Sequence, residues 1–234
     1  MQYFLHFSVM ITKKANTTFI MKNTIIMLAC ALAIGTASAQ ENETAKSKWN
    51  AWTEFHCGIS FLDGSQGFTD YMQTYHHELD YRSTYMPPAQ IGTAVGVNYQ
   101  NFSIGMHINV NGSSATTNNQ LVKKQDNLLH LALGYRFDLG KGLFLEPAAG
   151  FGISTSEIFL SSARGGTDYV NSFTTGNLIV PLTLNFWYKK SVGFYLQYLI
   201  SVKTGKAHIT GLETEVDNLN FHPATLTLGY KLRF

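Results

Sequence analysis

Hydrophobic and polar residues alternate one by one along much of the chain, and the pattern is clearest in its last ten residues, TLTLGYKLRF. Successive side chains of a β-strand point to opposite faces of a sheet. One face of this run carries only apolar or aromatic residues: Leu226, Leu228, Tyr230, Leu232 and Phe234. The other face carries Thr, Gly, Lys and Arg. The run therefore predicts a strand whose two faces meet different surroundings.

Eight runs of this kind follow one another after residue 50. The predicted strands lie at 51–62, 89–99, 101–111, 127–138, 143–154, 177–188, 191–203 and 222–234. Three connections are tight turns rich in Gly, Asn, Lys and Ser, at 98–101, 139–142 and 189–191. Four are long and polar, at 63–88, 112–126, 155–176 and 204–221. Because long and short connections alternate, the pattern predicts an all-β, eight-stranded antiparallel up-and-down barrel with the tight turns and both termini at one end.

The two faces of the predicted strands distinguish two kinds of barrel. A soluble barrel would place its apolar face inside and cover its polar face densely with Lys and Glu. Here the polar face is mostly Gly, Ala, Ser, Asn and His, which suits side chains crowded into a narrow lumen. The aromatic residues of the apolar face gather near the tight-turn end: Tyr99, Phe102, Tyr135, Phe137, Phe186, Tyr188, Phe194, Tyr230 and Phe234. Such a girdle is typical of a membrane interface, so the sequence favours a transmembrane barrel with its apolar face in lipid.

Two prolines, Pro147 and Pro181, fall inside predicted strands. Proline has no N–H to donate to a neighbouring strand, and within sheets it is mostly found at edges and bulges. A closed barrel has no edge strand, so we expect a β-bulge at each of these two positions.

The first 50 residues lie outside the predicted barrel. Residues 21–39, MKNTIIMLACALAIGTASA, have the basic start, short apolar stretch and small-residue end of a secretory signal peptide. The apolar stretch is too short for a membrane-spanning helix. We expect 1–20 to be an over-extended start, 40–50 a polar periplasmic lead-in and 51–234 the barrel. Cys57 would then be the single cysteine of the processed chain.

Charge and composition exclude one class of partner. The chain has 17 Lys and Arg against 15 Asp and Glu, a formal net charge of +2, and no basic block or stripe. Nucleic acid is therefore not an expected partner. Charged residues make up only 14% of the chain, against about a quarter in typical soluble domains. This low share favours a protein with little charged surface.

The end of the chain carries a pattern of polar, glycine, apolar and aromatic positions, formed by Thr227, Gly229, Leu232 and Phe234. With the leader and the eight alternating strands, it resembles the small outer-membrane β-barrel proteins of Gram-negative bacteria. The resemblance covers about residues 51–234. It implies a place in the cell outer membrane, contact with outer-membrane lipid and lipopolysaccharide, and a C-terminal signal for the barrel-assembly machinery.

Five charged residues on the predicted inner face come from strand ends near the tight turns: Glu54, Arg136, Glu146, Lys231 and Arg233. We expect them to meet in one layer as an ion network. An eight-stranded barrel is just wide enough to be filled by side chains, so the network is expected to plug the lumen. The alternative is a gate that opens a narrow ion path when the pairs rearrange.

His56, His107 and His130 also lie on the predicted inner face. Three histidines can bind zinc if their ring nitrogens converge. Strand parity alone does not show convergence across strands, and hydrogen-bonded histidines are the expected arrangement. We predict no metal site and no cofactor.

The first long connection holds the one cluster with residue types that barrel enzymes use: His76, His77, Glu78 and Asp80. No serine stands beside them at a recognisable spacing. We therefore predict no catalytic residue and no enzyme.

The sequence predicts an integral outer-membrane barrel with a structural or surface-interaction role and a lumen filled by polar side chains. The alternatives are a narrow gated pore, a component of a secretion or assembly complex similar to the PorT family, and a lipid A-modifying barrel enzyme. The polar long connections leave room for a surface or envelope protein as a partner.

Overall fold

The computed structural model describes residues 49–61, 66, 68, 70, 74, 88–117, 120–162, 169–209, 214–216 and 219–234. Within these ranges the chain forms eleven strands: β1 (Trp49–Phe61), β2 (Ala89–Tyr99), β3 (Phe102–Thr117), β4 (Gln120–Tyr135), β5 (Phe137–Gly140), β6 (Leu143–Ser162), β7 (Tyr169–Tyr188), β8 (Val192–Thr204), β9 (Ala207–Ile209), β10 (Thr214–Val216) and β11 (Leu226–Arg233). The expected start, signal peptide and most of the lead-in lie outside the described residues. No helix among the described residues is long and apolar enough to cross a membrane.

The strands close into a ring of eight antiparallel positions. The order around the ring is β1, β2, β3, β4, β6, β7, β8 and β11, and β11 pairs with β1. The short strand β5 continues β4 along β6, and β9 continues β8 along β7. Two hydrogen bonds extend the closing seam, from Phe234 N to Thr53 O at 2.9 Å and from Thr53 N to Phe234 O at 3.0 Å. The predicted eight-stranded up-and-down barrel is confirmed.

The three tight turns lie where the sequence predicts them. Gln100 begins the turn between β2 and β3 with a positive φ of 55°. Residues 140–142 connect β5 to β6, and 189–191 connect β7 to β8. Both of these turns also contain positive φ angles, the backbone conformation that reverses a hairpin within a few residues.

Two of the predicted long connections are wrong. Most of 112–126 and 155–176 is strand, because β3 runs to Thr117 and β6 runs to Ser162. The ladder between β4 and β6 is continuous from Gly134 to Gln120. A polar stretch can pair as well as an apolar one, since the ladder uses backbone groups, but it lacks the alternation that identifies a strand in the sequence. β1 also begins two residues earlier than predicted, at Trp49.

In the half of the barrel near the tight turns, the apolar side chains point outward. Leu131, Leu133 and Tyr230 are 53–60% exposed, whereas Glu54 and Asn109 on the inner face are at most 1% exposed. A soluble barrel would show the reverse arrangement, so that alternative is wrong for this half. The outward apolar surface, called the apolar belt below, surrounds a polar lumen.

Beyond the apolar belt, the two faces exchange character. On β4 and β6, above the row that contains Leu129 and Ile153, most outward positions are polar, among them Lys123, Gln125 and Glu157. Buried apolar side chains there form a cluster, called the upper core: Phe68, Val122, Ile158, Leu160, Phe173, Ala207, Leu219 and Phe221. On β4 and β6 the upper half thus has a mostly polar outer face over an interior that contains an apolar core, whereas the lower half has an apolar outer face over a polar lumen.

The β-bulge predicted at Pro147 is wrong, and the irregularity nearest Pro181 lies two residues away, between Leu178 and Ile179 of β7. Pairing between β6 and β7 is interrupted beside Pro181, yet Ala149 pairs with Leu182 before the gap and Gly152 with Ile179 after it, in the same register. The β4–β5 strand breaks at Arg136, next to the point where it passes Pro147. Pairing with β6 is thus omitted beside each proline without a change of register, whereas β7 shifts its register against β8 between Leu178 and Ile179.

Glycines on neighbouring strands make room for large rings that point inward. A β-carbon at Gly96 or Gly105 would collide with the Trp52 ring. In the same way, Tyr195 lies against Gly58 and Gly229. These glycines are therefore required by close approach, which the sequence shows only as scattered small residues.

We expect Gly96→Ala to destabilise the barrel by about 1–3 kcal/mol, because the added methyl group overlaps Trp52 and the Ile104 carbonyl oxygen. Gly176→Ala is the matched control, since a β-carbon there meets no atom within 4 Å, and we expect a change within about 0.5 kcal/mol. Urea unfolding of the refolded proteins in lipid vesicles measures both. Equal stability of the two variants would contradict the described packing of Trp52.

Candidate functional site

The five charged residues predicted for the lumen lie together in one buried layer. Glu54 contacts Lys231 Nζ through Oε1 and Arg233 Nη2 through Oε2, both at 2.9 Å. Glu146 Oε2 accepts hydrogen bonds from Arg136 Nη2 at 2.8 Å and from Arg233 Nη1 at 3.2 Å. Arg233 therefore bridges the two carboxylates, and three cationic groups face two anionic ones. All five residues are less than 9% exposed.

Aromatic rings hold the central cations in place. The Arg233 guanidinium carbon lies 4.2 Å from the centroid of one ring of Trp52 and 4.1 Å from that of Trp187. Lys231 Nζ lies 4.8 Å from the Tyr195 ring centroid. These distances are within the range of cation–π attraction, which is strongest where water is excluded. The same contacts fill the cross-section of the lumen.

The sequence reasoning missed these three aromatic residues. Trp52 and Trp187 are apolar by type, but they share the inward parity of Glu54 and Asn185. Tyr195 likewise shares the parity of Gln197. The alternation of side chains along each strand assigns all three positions to the inner face, whatever residue type stands there.

Next to the ion network lies a layer of histidines, as predicted. His56 Nε2 is 2.8 Å from Asn109 Oδ1. The rings of His107 and His130 are stacked, with centroids 4.8 Å apart, and His107 is 6.2 Å from His56. The three histidines therefore approach one another across β1, β3 and β4.

Ligand atoms of Glu54, His56 and His107 lie within 4.8 Å of one another, and these are residue types that zinc uses. Two contacts oppose a metal ion at this place. The Lys231 ammonium is 2.9 Å from Glu54 Oε1, and its positive charge would repel a second cation. His56 already shares a hydrogen bond with Asn109. The contacts made by this set therefore favour a hydrogen-bonded lining over a metal centre.

Little free space remains in the ion-network layer. A cavity of about 20 Å³ is lined there by Trp52, His107, His130, Lys231 and Arg233, together with small residues of neighbouring strands. This volume suits about one water molecule. The described side chains thus fill the lumen at this level.

The upper lumen contains a second buried ion pair. Lys124 Nζ lies 3.7 Å from Asp126 Oδ2 and donates a hydrogen bond to the His222 carbonyl oxygen at 2.7 Å. Both side chains are buried between the histidine layer and the upper core. The sequence reasoning missed them because it placed both residues in a loop.

A solvent-exposed ion pair lies at the β9–β10 hairpin. There Lys206 donates a hydrogen bond to Glu215, which holds the pKa of that carboxyl below its ordinary value.

The four residues of the C-terminal pattern occupy both faces of β11. Thr227 is buried, with its hydroxyl 2.7 Å from Ser60 Oγ, and Gly229 makes room for Tyr195. Leu232 and Phe234 point outward and are 48% and 73% exposed. The inward pair thus has a structural role within the barrel, and the outward pair is accessible from outside it. The loop cluster of His76, His77, Glu78 and Asp80 lies outside the described residues.

Comparison with known proteins gives matches of architecture. No protein-family model matches the chain, and no curated protein matches it significantly. Among solved structures, a major outer membrane protein from Thermus thermophilus is 11% identical, with a TM-score of 0.44, and the match covers 79% of this chain and 99% of that one. The outer membrane protein OprG from Pseudomonas aeruginosa is 14% identical, with a TM-score of 0.40, and the match covers 79% and 95% of the two chains.

We expect Arg233→Met to destabilise the barrel by about 3–5 kcal/mol, because it leaves Glu54 buried with one cation fewer and Glu146 without its bridge to Glu54. Lys203→Met removes a cation from an exposed position and should change stability by at most about 0.5 kcal/mol. Urea unfolding in lipid vesicles measures both changes. If Arg233→Met were as stable as the parent protein, the bridging role of Arg233 would be wrong.

Proposed function

We propose that this chain is an integral β-barrel protein of the cell outer membrane, with a structural or surface-interaction role and a closed lumen. The observation that carries the proposal is the exchange of polarity along the barrel axis. An apolar outer face is stable in hydrocarbon, and a polar outer face over an apolar core is stable in water. One continuous set of strands has both, so it suits a barrel that crosses a membrane and projects beyond it.

The height of the apolar belt fits a bilayer. On β8 the outward residues from Val192 to Val202 are all apolar or aromatic. Ten residue steps correspond to about 33 Å along a strand, or about 25 Å along the barrel axis at the usual tilt. Outer-membrane barrels have an apolar band of about this height. Ring closure also satisfies the backbone N–H and C=O groups, which lipid cannot do.

The packed lumen supports a closed barrel more than a pore. The stack of Trp52, Arg233 and Trp187 occupies the tight-turn half, and the upper core occupies the other half. A gated pore is the second candidate. The observation in its favour is that Arg233 is shared by two carboxylates, so its contacts could be exchanged without leaving either charge unpaired.

Three kinds of partner follow from the proposal. Outer-membrane lipid and lipopolysaccharide would surround the apolar belt and its upper rim. The barrel-assembly machinery would read the outward Leu232 and Phe234 with Thr227 and Gly229. A surface or envelope protein would contact the polar upper wall, as in a PorT-like complex. A lipid A-modifying activity remains an alternative, and lipid A mass spectrometry of a deletion strain tests it.

We expect the purified, refolded protein to insert into lipid vesicles and to show no resolvable conductance steps in a planar bilayer. Trp52→Ala combined with Trp187→Ala should produce steps, because the two rings that enclose Arg233 fill the lumen beside it. Trp49→Ala is the matched control: it removes an outward ring that is 55% exposed and should leave the bilayer silent.

The possible outcomes separate the parts of the proposal. Failure of the parent protein to insert would contradict the membrane location. Steps from the inserted parent protein would contradict the closed lumen and favour the gated pore.

A further inference from the structure

The outer surface of the apolar belt contains a groove on one side of the barrel. A groove of about 610 Å³ runs across β4, β6, β7 and β8 on the outside of the barrel. Pro147 and Ala149 provide short side chains there, and Tyr135, Leu182, Leu196 and Tyr198 are among the residues that surround them. The groove lies within the belt, so its surface is nearly all apolar.

Two tight turns lie at the end of the strands that carry this groove. Residues 140–142 and 189–191 are joined by a hydrogen bond from Lys189 N to Gly142 O at 2.7 Å. Their exposed side chains include Lys141, Lys189 and Lys190. Asp138 lies in β5 next to the first turn, and its carboxylate accepts a hydrogen bond from Gly140 N at 2.7 Å. The turns at this end of the groove's strands therefore carry three cations, and one carboxylate precedes them.

The backbone at these lysines is unusual. Lys141, Lys189 and Lys190 have φ angles of 54°, 49° and 64°, in the left-handed region that favours Gly and Asn. Tight hairpin turns require these angles, so the unusual feature is that Lys stands where Gly or Asn is preferred. Two of the ammonium groups also lie over aromatic rings, Lys189 Nζ at 5.2 Å from Tyr188 and Lys190 Nζ at 5.2 Å from Phe144. The Tyr188 ring keeps the Lys189 charge at the level of the aromatic girdle, and Phe144, which shares the inward parity of Glu146, holds the Lys190 charge at the end of the barrel beside the lumen.

We propose that the groove and the three lysines form a binding site for one anionic glycerophospholipid. The lysines contact the headgroup phosphate, and an acyl chain extends upward into the groove. The proposal rests on the membrane location given under Proposed function, and it places the lipid in the leaflet at the tight-turn end.

The spacing between the lysines and the groove fits such a lipid. Leu184, which lines the groove, is five positions from Lys189 along β7. Five residues span about 17 Å along a strand, or about 13 Å along the barrel axis at the usual tilt, which is close to half of the apolar band of about 25 Å. One leaflet's chains fill that depth. The outward Phe186 and Tyr188 lie along the path between the turn and the groove.

Native mass spectrometry of the protein released from vesicles tests the proposal. The probes are phosphatidylglycerol and phosphatidylcholine with identical chains, mixed in equal amounts. We expect the parent protein to retain one phosphatidylglycerol in preference to phosphatidylcholine. The triple variant with Lys141→Asn, Lys189→Asn and Lys190→Gly should lose the preference for phosphatidylglycerol. Each lysine that is replaced should lower this preference about five-fold. These replacements suit the left-handed turns, so folding should be retained.

A second variant tests the groove independently of charge. Ala149→Trp fills the groove and should reduce retention of both lipids. Lys123→Asn with Lys203→Asn removes exposed lysines from other parts of the barrel and should leave the phosphatidylglycerol preference unchanged.

The controls separate this site from the membrane proposal. Heat-modifiable migration on a gel first shows that each protein is folded in the vesicles. A folded parent protein that retains neither lipid preferentially overturns the lipid site alone, and so does a preference that survives the triple lysine change. A parent protein that does not insert overturns both proposals.

Discussion

The structure depends on one constraint: a closed sheet must present the correct face to its surroundings at every height. Near the tight turns Leu131, Leu133 and Tyr230 point outward, and farther up the wall Val122 and Ile158 point inward. Pairing between β4 and β6 continues across this change in one register, so the strands themselves do not break. Only the residue types at each parity change. The backbone pairing is the same below and above this change, so the residue types on each face follow the surroundings of the barrel at that height.

Enclosing a polar lumen creates the second requirement, since buried charges are costly unless they are paired. Arg233 meets this requirement by contacting Glu54 and Glu146 together while it lies between two tryptophan rings. The rings need space, and Gly96 and Gly105 provide it for Trp52. Glycine content, inward aromatics and buried ions are therefore parts of one packing arrangement. That arrangement fills the barrel and explains why a closed lumen is proposed.

The sequence was enough to predict the ring, its turns and the ion network, because each depends on strand parity and on distance from a turn. Glu54 and Arg233 share the inward parity and pair in register across the β1–β11 seam. Strand length in the upper wall was not predictable in this way. Between 111 and 127 most positions of outward parity are polar, and the inward set mixes Lys124 and Asp126 with Val122, so the alternation of hydrophobicity is lost. The contacts of Trp52 and Trp187 depend on neighbouring strands, which a single run of sequence does not reveal.

The exchange of polarity can be measured directly with one fluorescent probe at two positions. Cys57 is exposed on the outer face within the apolar belt, and Lys123 is exposed on the outer face above it. The probe is attached to Cys57, or to Lys123→Cys in a Cys57→Ser chain, and the proteins are inserted into vesicles whose lipids carry brominated acyl chains. The account predicts that bromine quenches the probe at Cys57 while aqueous iodide does not, and that iodide quenches the probe at position 123. Quenching of the Cys57 probe by iodide, without quenching by the brominated chains, would contradict it.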